Sequence, residues 1–155
     1  MLSRFTTMAR PIEVTVFIAA PPSQVWAELA DFASHPQWMD DAATVRFLTD
    51  RTTGIGTRLE AATRVGPLRA ADVMEVVRWD VEQTIVVEHV GAVKGFGRFD
   101  IGPIGDGTDM RWVEDLRFPW WMGGPVGLAV ARPILARIWR GSLMRLKERL
   151  EISGP

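Results

Sequence analysis

The sequence has no cysteine, no tyrosine and no asparagine, and only two histidines among its 155 residues. Without cysteine there is no disulfide, no thiol nucleophile, no thiolate-bound zinc and no iron–sulfur cluster. Without tyrosine there is no phenol to act as a general acid, and without asparagine there is no N-glycosylation site. An excess of one charge is missing too. The 18 Lys and Arg against 19 Asp and Glu leave a formal net charge of −1, so the composition calls for no nucleic-acid partner. Long hydrophobic runs are also lacking. The most apolar stretch, Phe118 to Ala131, is ended by Arg132, well short of the roughly 20 apolar residues that span a bilayer. The leader Met1–Arg10 has no apolar core of the secretory type, and Met8 as an alternative start would leave residues 1–7 outside the native protein. These absences lead us to expect a cytoplasmic protein. What remains is a chain that is 47% hydrophobic with seven Trp and seven Phe, long enough to bury one substantial core.

Ile12, Val14, Val16 and Ile18 alternate with Glu13, Thr15, Phe17 and Ala19, the period-2 pattern of a strand. Pro21-Pro22 ends it, and Pro22 suits the first position of a helix. Val25, Trp26, Leu29 and Phe32 then recur at helical spacing as far as Ala33, and His35-Pro36 breaks the pattern. Six strand-like runs follow, at Thr44–Thr49, Thr57–Val65, Leu68–Trp79, Thr84–Val90, Gly95–Ile101 and Thr108–Phe118. The separators are short and rich in glycine, as antiparallel hairpins require. From Pro125 onward the apolar residues Leu128, Ala131, Leu135, Ile138, Trp139, Ser142, Leu146 and Leu150 return at spacings of three and four. That predicts an amphipathic helix of about 18–26 residues, with a kink or restart at Pro133. Strand, helix, six-strand meander and long helix define an α+β architecture. It consists of a seven-stranded curved antiparallel sheet around a C-terminal helix, in one domain over residues 12–152 after a tail at 1–11.

At three places the chain resembles the START-like SRPBCC superfamily, the helix-grip fold, and within it the polyketide cyclase/dehydrase and lipid-transport branch. The first is Val14 to Trp26 with Asp31-Phe32 and Pro36-Gln37-Trp38. The second is the turn and strand Gly107 to Glu114. The third is Phe118-Pro119-Trp120-Trp121-Met122-Gly123-Gly124-Pro125 with Ala131-Arg132-Pro133 and Ile138-Trp139-Arg140. The resemblance implies a hydrophobic cavity between sheet and long helix, with no obligatory cofactor. It transfers no catalytic residue, because one fold hosts many functions.

Glu114 shares strand parity with Met110, Trp112, Leu116 and Phe118. A carboxylate among apolar neighbours is expected to titrate high and to serve as general acid or base; the competing reading is a partner arginine or a loop cap. His89 shares parity with Ile85 and Val87, but the other register would place Val86 and Val90 inward and bury Glu88 instead. Periodicity leaves that choice open. Glu75, among Val73, Val77 and Trp79, is similarly placed, and convergence of Glu75, His89 and Glu114 would supply an acid–base set. His35 has Asp31, Asp40 and Asp41 nearby but no ligand spacing, which reads as a solvated helix end and not a metal site. Gly54-Ile55-Gly56 and Gly95-Phe96-Gly97 lack the third glycine and the following helix of a dinucleotide fingerprint and read as strand-edge, bulge or hairpin glycines.

The expected ligand-binding residues are Leu59, Ala61, Thr63, Glu75, Phe99, Trp112, Trp120, Trp121, Met122, Leu135, Ile138, Trp139 and Ser142. Trp120 to Met122 are expected at the cavity mouth on a glycine-flanked segment that can move. Trp26 and Trp38 are expected in the core. Three functions compete. The first is binding of a hydrophobic small molecule, a lipid or polyketide-like compound. The second is cofactor-independent cyclisation or dehydration of a polyketide through Glu114 and His89. The third is docking on a membrane or protein through the Trp-rich segment. Neither cofactor nor metal is expected, and the composition does not indicate an oligomeric state.

Overall fold

The computed structural model describes residues 10–152; the tail and the Met8 start therefore lie outside the described residues, apart from Arg10 and Pro11. Strand β1 (Ile12–Ile18) leads through helix α1 (Pro22–Ala30) and a 3₁₀ helix (Phe32–Gln37) to β2 (Ala42–Phe47). A meander then runs through β3 (Arg58–Val65), β4 (Leu68–Asp80), β5 (Thr84–Val90), β6 (Lys94–Ile104) and β7 (Gly107–Arg117). A second 3₁₀ turn (Trp120–Met122) opens into helix α2 (Gly124–Ile152). All seven strands join one antiparallel sheet in the order β1-β7-β6-β5-β4-β3-β2. The α1 connection carries the chain from one edge of the sheet to the other, and the meander returns it so that β7 pairs with β1, Val14 opposite Trp112. The curved sheet wraps around α2, which is the helix-grip fold.

The period-2 pattern is clearest on β1 and β7, where one face meets the core. Ile12, Val14 and Ile18 are buried on β1, and Thr108, Met110, Trp112 and Glu114 on β7. Helix α1 has Pro22 at its start and buries Val25, Trp26 and Leu29 against the sheet; Trp26 and Trp38 lie in the core as expected. Helix α2 buries Leu128, Trp139, Leu143, Leu146 and Leu150. At 29 residues it is longer than its periodicity suggested and does not restart at Pro133. The missing N–H there costs one intrahelical bond, and the burial on both sides of it carries the helix through.

The pattern fails at one point that matters for the site. The β4–β5 pairing shifts register between Val76 and Arg78, the signature of a β-bulge, which sends residues of equal parity to opposite faces. Trp79 therefore turns inward to meet Trp26 edge-on at 5.2 Å. Glu75, two pairs of residues upstream on the same parity, faces away from the core, while Asp72, Met74 and Val76 face it.

Candidate functional site

Between the concave face of the sheet and α2 lies a cavity of about 290 Å³. Its floor is aromatic. Trp112 stacks on Trp139 at 5.2 Å, and Phe99 meets Trp112 edge-on at 5.2 Å. Its walls are apolar and come from β3 (Leu59, Ala61), β4 (Met74), β5 (Ile85, Val87) and α2 (Ala131, Leu135).

One polar row crosses this surface. His89 on β5 and Glu114 on β7 are 6% and 7% exposed, and His89 Nε2 donates to Glu114 Oε2 at 2.8 Å. The other ring nitrogen, Nδ1, lies 3.0 Å from both carboxylate oxygens of Asp72 on β4. The second Glu114 oxygen accepts from the Trp112 indole at 2.9 Å. The register left open by periodicity is thereby settled: His89 faces the cavity and Glu88 does not line it.

Strand β6 lies between β5 and β7, and it opens the space that lets these side chains meet. Gly97 pairs with Glu114, and a Cβ at Gly97 would stand 2.7 Å from Glu114 Oε1. Gly95 has φ +129°, and a Cβ there would meet the Asp115 carbonyl at 1.8 Å. Both glycines belong to the interior of a paired strand. They are places of close approach rather than hairpin residues.

Two carboxylates make His89 a cation. Burial pulls its pKa down, but the hydrogen bonds and charges of Asp72 and Glu114 outweigh that and push it up to about 10. An imidazolium can donate from both nitrogens at once, as this row requires. Glu114 thus sits beside a charged histidine and an indole donor, not in the purely apolar setting its parity suggested.

A second polar station lies on the α2 side. Asp41, just before β2, lines the cavity and accepts from the Trp139 indole through Oδ2 at 2.9 Å. Its Oδ1 is sealed from solvent with no protein partner. Burial pushes the Asp41 carboxyl up, against the Trp139 hydrogen bond and with help from the charges of Glu114 and Asp40. His35 also lines the cavity, and here the expectation of a solvated helix end is overturned. It is buried, its Nε2 lies 2.9 Å from the Leu29 carbonyl at the end of α1, and burial lowers its pKa to about 4. It is a neutral donor that caps α1. No grouping of metal-ligating side chains occurs among the described residues.

Of the residues expected around the ligand, Leu59, Ala61, Thr63, Phe99, Trp112, Trp121, Met122, Leu135 and Trp139 line the cavity together with His89 and Glu114. Four do not. Glu75 is turned outward by the Val77 bulge. Trp120 is 86% exposed. Ile138 packs into the core beside the cavity. Ser142, fully buried, spends its hydroxyl on the Ile138 carbonyl and the Asp40 amide. Asp72, Asp41 and Gly97 were missed. The even parity of Asp72 with Met74 and Val76 could have found it, had the bulge not tied the frame to Trp79. Asp41 lies outside any periodic segment.

The segment at the mouth is also more fixed than its glycines suggested. Gly123 and Gly124 have φ of +90° and +53°, and backbone bonds tie Met122, Gly123 and Gly124 to Pro119 and Trp120 carbonyls. A Cβ at Gly127 would lie 2.0 Å from the Met122 carbonyl. These glycines serve a tight turn.

The sequence matches the family model described as polyketide cyclase / dehydrase and lipid transport over residues 10–151. No curated protein matches the chain. Among solved structures, a START superfamily protein from Mycobacterium smegmatis is 18% identical with TM-score 0.78, over 94% of this chain and 100% of that one. TTHA0849 from Thermus thermophilus is 17% identical with TM-score 0.76, over 94% and 99%. The di-domain ARO/CYC StfQ from the steffimycin biosynthetic pathway is 14% identical with TM-score 0.75, over 93% of this chain and 52% of that one. At these identities the likeness is one of fold.

Proposed function

Because the chain belongs to the polyketide cyclase / dehydrase and lipid transport family, we propose that it binds a compact, largely apolar small molecule of lipid or polyketide-like type between the sheet and α2. The observation that carries this reading is the cavity itself: aromatic floor, aliphatic walls and two polar stations on opposite sides. Its volume of about 290 Å³ stands at the lower end of the range of roughly 300–1,000 Å³ typical of ligand clefts. Burial of apolar area, at about 25 cal/mol per Å² before association costs, supplies the affinity. The stations supply orientation, and the unpartnered Asp41 Oδ1 favours a ligand with a hydroxyl or carbonyl placed to meet it.

Native mass spectrometry of protein taken directly from cell extract tests this. A co-purified mass that denaturation releases is expected. Only apo protein, together with no change in Trp fluorescence on titration with fatty acids and polycyclic phenols, would count against it, since Trp112 and Trp139 line the cavity.

A second reading is favoured by one contact, the 2.8 Å bond between His89 and Glu114 on the cavity wall. A substrate oxygen that takes the place of Glu114 at His89 Nε2 can receive the ring's proton, and the carboxylate so released can take one from carbon. Those are the transfers that cofactor-independent cyclisation and dehydration of a polyketide chain need. In this reading His89 is the acid, Glu114 the base, and Asp72 the group that orients the ring. Turnover of a poly-β-keto thioester that persists unchanged in Glu114→Gln would remove it.

A further inference from the structure

The cavity meets solvent where its lining residues are exposed, at Leu68, Arg69, Ala70, Ala71, Ala92, Arg98 and Trp121. Five of these seven are apolar, an unusual rim for an opening into water. Around it stand large hydrophobic side chains that make no use of the core. Trp120 is 86% exposed, Trp121 61% and Leu68 71%. On the adjoining turns of α2, Val126, Val130 and Ile134 are exposed at 73%, 66% and 51%, one stripe at a spacing of four.

Charge is unevenly distributed too. The chain carries no acidic residue from Ala61 to Ala71 or from Leu116 to Lys147. Arg64 and Arg69 lie in the first stretch, and Arg117, Arg132, Arg137, Arg140, Arg145 and Lys147 in the second. Arg145 and Lys147 pair with Asp40 and Glu151, and Arg132 bonds the Arg10 and Pro11 carbonyls. None of the other five pairs with a carboxylate among the described residues, whereas on other parts of the sheet Arg46, Arg78 and Arg111 pair with Glu60, Asp80 and Glu13. By the 3.6-residue repeat, Arg137 continues the Val126–Val130–Ile134 stripe. A protein of net charge −1 thus combines exposed tryptophans at the opening with two acid-free stretches; of their unpaired cations, Arg69 lines the cavity and Arg64 is its cross-strand partner.

We propose that this face docks on a bilayer containing anionic lipid, with Trp120 and Trp121 at headgroup depth and the arginines against lipid phosphates. Indole rings favour that interfacial level, and each arginine near an anionic surface contributes on the order of 1 kcal/mol. The hydrogen-bonded turn that holds the two tryptophans presents them already ordered, so docking need not fix a loose loop. The consequence for the cavity rests on the proposed function: a lipid-soluble ligand would pass between membrane and binding site without crossing water. Docking itself does not depend on that reading.

Flotation with phosphatidylcholine vesicles, with and without phosphatidylglycerol, tests the proposal. The full chain should float with the anionic vesicles, bind the neutral ones far less, and detach as salt rises. Trp120→Ala and Arg137→Glu, which change exposed side chains outside the cavity lining, should each lower partitioning about fivefold or more. Uptake of the fluorescent fatty acid cis-parinaric acid in vesicle-free buffer, measured in parallel, should be unchanged in both. Flotation without uptake of the fatty acid would leave docking standing and count against the cavity reading. No flotation, or flotation unaffected by both substitutions, would overturn docking. So would a dimer in solution that Trp120→Ala converts to monomer, because the apolar face would then belong to a second copy of the chain.

Discussion

His35 and His89, the chain's two histidines, are both buried, and their surroundings drive them apart. Burial holds His35 near 4; at His89 burial acts in the same direction but is overcome by Asp72 and Glu114, which take it to about 10. Neither should titrate near 6.5, and with only two imidazoles an NMR titration resolves both; a midpoint between 6 and 7 for either would contradict the contacts described. The linkage to stability has opposite signs. Between pH 6.5 and 10 folded His89 holds a proton that the unfolded chain releases, so its contribution is complete below 6.5 and declines as pH rises. Between 6.5 and 4 the unfolded chain protonates His35 and the folded protein does not, so that contribution declines as pH falls. Each slope is at most about 1.4 kcal/mol per pH unit. Denaturation midpoints across this range, compared with His35→Gln and His89→Gln, should show each variant lose one limb. Gly97→Ala is a further probe at this scale. Its Cβ would press on a flexible carboxylate, so the protein should fold but with Glu114 displaced, and the His89 midpoint should fall.

Elements were easier to read from the sequence than sites, for a physical reason. A strand declares itself through many residues, so Ile12–Ile18 and Thr84–Val90 could be bounded without a structure, and the helical stripe from Leu128 to Leu150 named the buried face of α2. A bulge declares itself through none. The extra residue at Val77 reverses which residues of β4 face inward, and with it the acid beside His89 changes from Glu75 to Asp72. Long-range pairing was equally hidden: His89 meets Glu114 because β6 offers glycine between their strands, and neither residue's own neighbours reveal that. The turn leading into α2 shows the same limit, since glycines that suggested mobility are needed for close packing. Gly127→Ala, whose Cβ would lie 2.0 Å from a carbonyl, should cost about 1–3 kcal/mol. Trp120→Ala on the same turn should stay within about 0.5 kcal/mol. Thermal denaturation of the two variants separates a built turn from a flexible one.

At the scale of the molecule, one sheet and one helix leave a cavity that neither could enclose alone, and an occupant should bind them together. A ligand at about 100 times its Kd adds about 2.7 kcal/mol of stability, which for a domain of this size raises Tm by roughly 5–11 °C. A bound compound that raises no Tm in a thermal-shift assay would place it outside the folded core. The sheet order has a different consequence, for the making of the protein. Strand β1 is synthesised before every other strand, yet its partner is β7, so the first strand waits unpaired while the whole meander is translated. Helix α2 follows later still, and at about 5–20 residues per second its 29 residues need a few seconds more. For that interval the nascent chain carries a concave apolar face with no helix to cover it. Partly made sheets of this kind are prone to wrong pairing. The architecture that creates a binding site therefore also ties correct assembly to synthesis rate: the longer α2 takes to follow the sheet, the longer that face stays open to wrong partners.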